Sequence, residues 1–417
     1  MEAPLKSGTS PAGKIFVPLL FAGDINVYSV ARAFYEACGC RSYAYGKYAT
    51  GVCMNSTFLS YSANPKCDQP ETFMELVYTF AKDHSDKSVI LIGCGDSYVE
   101  LISAAKDHLP ANVIAPYIDI ELMERLTHKE EFYKLCDEKG IDRPDTFVYH
   151  CGESLDFALP FGGPFIVKPS NGPEYWAHPY ETQKKVYKVE TEAEVKNVLM
   201  DIYGAGYEDS VIIQNFIPGG DNCMRVLTSY SDRNGKVKMM CLGHVILEEH
   251  TPHGIGNHAV IITEYDEALM LKYKKLLEDM NYVGFSNFDI KYDSRDGKFK
   301  AFEINTRQGR SNYYVTASGA NIAELVVRDR LDGEELELQL VDNEFLWTVL
   351  PIGLVDRYVS DEDYDRIHAL LQQRKVENPL YIDIDRSKQR NMMIVKNQYG
   401  QYYKYWKYVG RGKKKKR

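Results

Sequence analysis

The sequence predicts an α/β protein that opens on a parallel sheet with crossover helices and becomes richer in strands towards its middle. Three observations carry this. Residues 14–21 are a short apolar run ending in Ala22-Gly23-Asp24, and a helical pattern (Val27, Val30, Ala31, Phe34) follows over 26–38, where Gly39 ends it. The same order returns at 88–95: Val89-Ile90-Leu91-Ile92 runs into the turn Gly93-Cys94-Gly95-Asp96, and a helix continues to about residue 106. Beyond residue 140 short strand-like runs dominate. Strand, glycine turn and helix in repetition imply parallel strands, because a helix is the usual crossover that returns the chain to the same direction.

Taken in order, residues 120–139 read as one helical stretch stopped by Gly140. Strands are expected at 165–168, 185–189, 211–216, 224–231, 237–248, 284–292 and 299–305, with helices at 192–203, 267–280 and 321–331. The last 70 or so residues read as a less regular appendage with one helix at 361–374 and an aromatic- and lysine-rich end. Three segments result: a Rossmann-like segment (1–118), a central domain (119–345) and a C-terminal appendage (346–417). Neither glycine turn completes the six-position dinucleotide fingerprint, so an NAD site is weakly supported.

Composition excludes several classes. Of 417 residues, 44% are hydrophobic and 26% charged, as in soluble globular proteins. No apolar run approaches the ~18 residues that span a bilayer, and residues 1–14 lack a signal peptide's apolar core, so a cytoplasmic protein is expected. The nine cysteines are scattered and odd in number, and the closest pair, Cys38 and Cys40, is not spaced as a zinc or redox motif. Net charge is −9, yet residues 411–417 alone carry six positive charges, leaving 44 against 59 in the body. A body at −15 offers no broad basic face to nucleic acid. The tail follows a stretch, 399–408, that interleaves six aromatics with Lys404 and Lys407. That pattern suits weak contact with an anionic membrane surface, or else a solubilising tail after a packed aromatic segment.

Chemistry concentrates in Ser286-Asn287-Phe288-Asp289-Ile290-Lys291-Tyr292 and Ala301-Phe302-Glu303-Ile304-Asn305, both alternating as half-buried strands do. A three-residue loop, Arg295-Asp296-Gly297, would pair Ser294 with Lys298 and set Asp289 opposite Glu303. Glu303 and Asn305 share a face, so two carboxylates and an amide oxygen converge. Those are hard ligands of the kind magnesium takes together with substrate phosphates; the contrasting reading is a solvated acidic hairpin. Lys168 ends the apolar run Phe165-Ile166-Val167, and Lys129 lies early in a helical stretch; each is either an anion anchor or a surface lysine. The run from Val211 through Gln214, Asn215 and Ile217 to Asp221 is a strand broken by Pro218-Gly219-Gly220, which leaves backbone groups to bond a flat ligand edge.

In this order, from Lys129 to Ala323, these elements resemble the ATP-grasp family. The resemblance implies an ATP-grasp fold of two α+β subdomains behind a Rossmann-like pre-grasp domain. It implies Lys129 and Lys168 on the ATP phosphates, and Gln214, Asn215 and Ile217 in the hinge at adenine. It further implies Asp221 on the ribose, and Asp289, Glu303 and Asn305 on two magnesium ions. Asn215 departs from relatives that carry an acid there. Activation of a carboxylate as an acyl phosphate would then require guanidinium groups for the carboxylate and the leaving phosphate, and Arg225, Arg307 and Arg310 are the candidates. The Gly-, His- and Pro-rich segment from Glu248 to His258 reads as a substrate loop, with His250 or His253 as the proton-relaying group, or else as a merely structural loop; its histidine spacing fits no zinc pattern well.

Residues 17–28, Ala31-Arg32-Ala33-Phe34, Tyr45-Gly46-Lys47 and Gly95-Asp96-Ser97-Tyr98 resemble the bacterial D-aspartate ligases. That likeness implies a small amino-acid donor, D-aspartate, and an amine-bearing cell-wall precursor as acceptor. Carboxylate–amine ligases with other substrates share much of the pattern. A non-catalytic nucleotide-binding protein is the contrasting class, but loss of catalysis predicts a missing metal carboxylate, and both are present.

Overall fold

The computed structural model describes residues 7–252 and 254–412. They form two compact units. Residues up to Met123, Met224–Asn287 and those from Asn305 onward make the first; Glu124–Cys223 and Phe288–Ile304 make the second.

In the first unit a parallel sheet runs in the order Leu59–Ala63, Ser42–Gly46, Ile15–Phe21, Ser88–Gly93, Val113–Ile114, and Gly8–Thr9 pairs antiparallel to Ile15–Phe21. All of Ile15–Phe21 but its first residue is buried, as expected for a strand covered on both faces. Helix Ile25–Cys38 starts where the Asp24 side chain accepts from the Asn26 N–H, and it stops at Gly39, whose φ of 63° is left-handed. Two strands, Ser42–Gly46 and Leu59–Ala63, and helix Pro70–Asp83 add to the elements read from sequence.

A second sheet of this unit runs Met224–Ser231, Val237–Glu248, His258–Glu264, Leu346–Thr348, Val376–Glu377, with Gln339–Leu340 beside Val237–Glu248. Among the described residues the C-terminal appendage is regular up to Tyr408. Residues Lys388–Tyr408 form a 21-residue helix capped by Ser387. Its buried face is Arg390, Ile394, Gln398, Gln401 and Tyr405, three of them polar, which is why no apolar period announced it. Arg390 ties this helix to the start of the chain. Its guanidinium pairs with Asp385 at 2.7 Å, lies 4.1 Å from the centre of the Tyr28 ring and donates to the Val52 and Met54 carbonyls.

The second unit holds a four-stranded antiparallel sheet in the order Thr146–Tyr149, Val211–Asn215, Phe165–Pro169, Tyr187–Val189. Helix Glu192–Gly204, opened by a Thr191/Glu194 capping box, buries Val195, Leu199 and Ile202 against its core. The stretch expected as one helix is two, Ile120–Thr127 and Lys129–Lys139, parted at His128, which has extended backbone and caps the second. No helix among the described residues is long and apolar enough to cross a membrane.

Candidate active site

In the second unit two lysines arrive from different elements. Lys129 opens helix Lys129–Lys139, one turn before Tyr133. Lys168 stands beside Ile212 in the sheet. Its ammonium reaches the Tyr133 hydroxyl at 3.0 Å and lies 5.6 and 5.7 Å from the Tyr133 and Phe302 ring centres. Burial pushes both ammonium groups below the ordinary lysine range, Lys168 to about 8. The Glu303 carboxylate works against that, while Lys185 pushes both further down. Lys185, exposed and close enough to act on both lysines, lies two residues before strand Tyr187–Val189 rather than at the start of a strand.

Glu303 answers these cations. Burial raises its carboxyl, but Lys129, Lys168 and Lys185, with a hydrogen bond to Asp289, leave it below the usual carboxylate range. Two carboxyls in hydrogen-bond reach must share either a proton or a cation. The hairpin behind this differs from the reading. The turn holds four residues, 294–297, because the Asp293 carbonyl accepts from the Gly297 N–H at 2.8 Å while its side chain takes the Arg295 N–H at 3.0 Å. Asp289 and Glu303 meet all the same. Asn305, in the first unit, has its amide oxygen bonded by the Arg307 guanidinium at 3.2 Å. Among the described residues no group of three or more His, Cys, Asp or Glu is placed to hold a metal. Two carboxylates beside a set of lysines fit an ion whose remaining ligands are phosphate oxygens.

The hinge is partly committed. Gln214 bonds the Thr146 hydroxyl at 2.9 Å; Asn215 donates to the Gly162 carbonyl at 2.6 Å and accepts from Arg295. The backbone N–H groups of Asn215 and Phe216 go to the Asp145 and Pro164 carbonyls. Among the described residues the Ile217 N–H has no backbone partner, so it is the donor left for a ligand edge. Asp221 begins a short 3-10 turn after Pro218-Gly219-Gly220.

In the first unit each predicted arginine already faces carboxylates. Arg225 donates to Glu264 at 2.6 and 3.4 Å. Arg307 makes a two-point contact with Asp96 at 2.7 and 3.0 Å. Arg310 lies 3.6 Å from Asp24 and 3.8 Å from Glu249. Glu249 also accepts from Lys404 at 3.2 Å, and the Tyr405 hydroxyl donates to the Glu248 carbonyl at 2.6 Å, so the C-terminal helix anchors the segment carrying His250. The His250 ring stands edge-on to Tyr405, 6.3 Å between centres. His253 lies outside the described residues. Asp24 and Asp96 each follow a glycine that ends an apolar run, a signal open to inspection; Glu249 and Lys404 carried none.

Solved structures share this architecture at low identity. The L-amino acid ligase of Bacillus licheniformis aligns with a TM-score of 0.53 at 15% identity, over 77% of this chain and 75% of that one. The biotin carboxylase domain of the Hydrogenobacter thermophilus 2-oxoglutarate carboxylase, solved with magnesium ADP and bicarbonate, aligns at 0.57 and 15%, over 79% and 72%. The fold is therefore ATP-grasp. No family model matches the sequence. The D-aspartate ligase of Enterococcus faecium (strain Aus0004), a curated protein, is 38% identical over 412 residues, 96% of each chain. The chain belongs to the family of ATP-dependent carboxylate–amine ligases that this D-aspartate ligase represents.

Proposed function

We propose that this enzyme uses ATP and magnesium to activate the β-carboxyl of D-aspartate and joins it to the lysine side-chain amine of a peptidoglycan precursor. The observation that carries the reading is 38% identity to a D-aspartate ligase along nearly the whole of both chains. The Asp289–Glu303 pair among three lysines supports it chemically.

Lys129, Lys168 and Lys185 hold the ATP phosphates by charge, and the Ile217 N–H meets the adenine edge with Asp221 on the ribose. Asp289, Glu303 and Asn305 would hold magnesium, which would supply positive charge against the phosphates. A donor carboxylate oxygen attacks the γ-phosphorus, the bond to the β-phosphate oxygen breaks, and ADP leaves an acyl phosphate. The amine nitrogen then attacks the acyl carbon, phosphate departs, and the nitrogen loses a proton to His250 or to solvent. Arg307 and Arg310 orient the donor's carboxylates, with Asp96 and Asp24 fixing their forks. The fork of Arg225 is spent on Glu264, so it braces the sheet instead.

Phosphate release and product mass, measured with D-aspartate, L-aspartate, D-glutamate and D-alanine, each with and without a lysine-containing precursor, test this. D-Aspartate with precursor should be best. Release supported best by D-alanine would overturn the donor, and product formed without an amine would overturn the ligation.

A further inference from the structure

The helix Lys388–Tyr408 has a second face that the ligase reaction does not use. Its buried side is pinned: Arg390 pairs with Asp385, Gln398 donates to the Val349 carbonyl at 2.9 Å, and Tyr405 bonds Glu248. The opposite side carries Met392, Val395, Tyr399, Tyr403 and Trp406, 70, 52, 72, 59 and 57% exposed. Their spacing of three, four, four and three residues draws one stripe along the helix. The Tyr403 and Trp406 rings lie 6.1 Å apart, and the Lys407 ammonium is 5.9 and 5.0 Å from the Tyr403 and Tyr408 ring centres. Five large apolar side chains in a row on water are costly unless something covers them.

Charge says what covers them. Residues 386–417 contain twelve lysines and arginines and no aspartate or glutamate, whereas the rest of the chain has 38 against 59. Lys396 and Lys407 flank the stripe on one side by helical spacing, and the basic Arg411 follows the helix. A partner with an apolar interior and a negative surface complements both features together; a folded acidic body of this same chain complements only the charge. Tyrosine and tryptophan at such a boundary keep their rings apolar-side and their polar tips in water. We infer that this helix docks on an anionic lipid surface, lying in its plane with the Met392–Trp406 stripe inserted and the basic residues on the headgroups. Docking would hold the ligase at the membrane.

Flotation of the full chain with vesicles of phosphatidylcholine and phosphatidylglycerol, against phosphatidylcholine alone, tests it. The wild type should float with the anionic vesicles only. The variant Tyr399→Ser/Tyr403→Ser/Trp406→Ser should lose about tenfold or more of that partition, and a chain ending at Val409 should lose it in part, both keeping wild-type phosphate release and circular dichroism. Trp406 emission should shift blue on anionic vesicles, and the difference should vanish in Trp406→Phe. The inference is overturned if the wild type stays unbound, or binds neutral vesicles equally. It is overturned too if the triple variant binds as well as wild type, which would leave only a polyanion-seeking tail of the kind that also meets nucleic acid.

Discussion

The two units treat positive charge in opposite ways. In the second, Lys129, Lys168 and Lys185 gather around Glu303 and Asp289, and burial presses the first two to give up their protons. In the first, Arg225, Arg307 and Arg310 each face a carboxylate of the chain itself. A lysine cluster under that pressure is relieved by a polyanion. Arginines already paired hold their geometry in advance, and an incoming carboxylate must share the fork or displace a partner. Lysine, a compact group whose pKa moves, and arginine, a rigid and always charged fork, are suited to those separate tasks.

The largest expected effect breaks the second unit. Asp289→Ala or Glu303→Ala should abolish turnover, costing several kcal/mol of transition-state stabilisation, with unchanged circular dichroism; wild-type phosphate release in either would undo the metal assignment. Next is Lys168. Held to about 8, it is cationic at pH 6.5 and loses its charge as pH rises. Nucleotide affinity measured by calorimetry should therefore fall between pH 7 and 9.5. Lys168→Arg should flatten that limb, and Lys168→Met should weaken binding by about 2 kcal/mol at pH 6.5, the deficit shrinking as pH rises to 9.5. A wild-type profile flat over this range would remove the cation from phosphate binding.

Smaller effects sharpen the first unit. Burial raises the Glu264 carboxyl, but the hydrogen bond from His244 and the charge of Arg225 bring it to about 2, below its ordinary value. Its stabilisation is therefore complete above about pH 5 and is lost as pH falls towards 2. Glu264→Gln should lower stability by about 2 kcal/mol at pH 7 and approach wild type near pH 2.5, read from urea midpoints. A gap that persists in acid would assign the loss to packing. Arg307→Ala should raise KM for the donor amino acid about tenfold, or about 1.4 kcal/mol, leaving KM for ATP in place. Arg225→Ala should instead lower Tm and spare both constants.

Elements buried on both faces announced themselves: Ile15–Phe21 and Ser88–Gly93 are continuous apolar runs. Ser42–Gly46 and Leu59–Ala63, toward one edge of that sheet and rich in Ser and Tyr, gave no such run. Asp289, Glu303, Lys129 and Lys168 could be named in advance because strand alternation and family order place them. Lys185 could not, since an exposed lysine in a turn has no local signature. Nor could the arginine pairings, which join residues as far apart as Asp96 and Arg307, 211 positions away.

Arg390 bears on how the chain is made. Tyr28 donates to Asp385 at 2.8 Å, Thr57 to the Ile384 carbonyl at 2.9 Å, and Arg390 closes on the carbonyls of Val52 and Met54. Tyr28 belongs to the first helix, and Val52, Met54 and Thr57 to the connection between strands Ser42–Gly46 and Leu59–Ala63, yet their partners leave the ribosome more than 300 residues later. At 5–20 residues per second that is about 20–70 s of translation, during which these groups lack those partners. A chain released before residue 385 would keep the ladder of the opening sheet but lack these late partners of Tyr28, Thr57, Val52 and Met54.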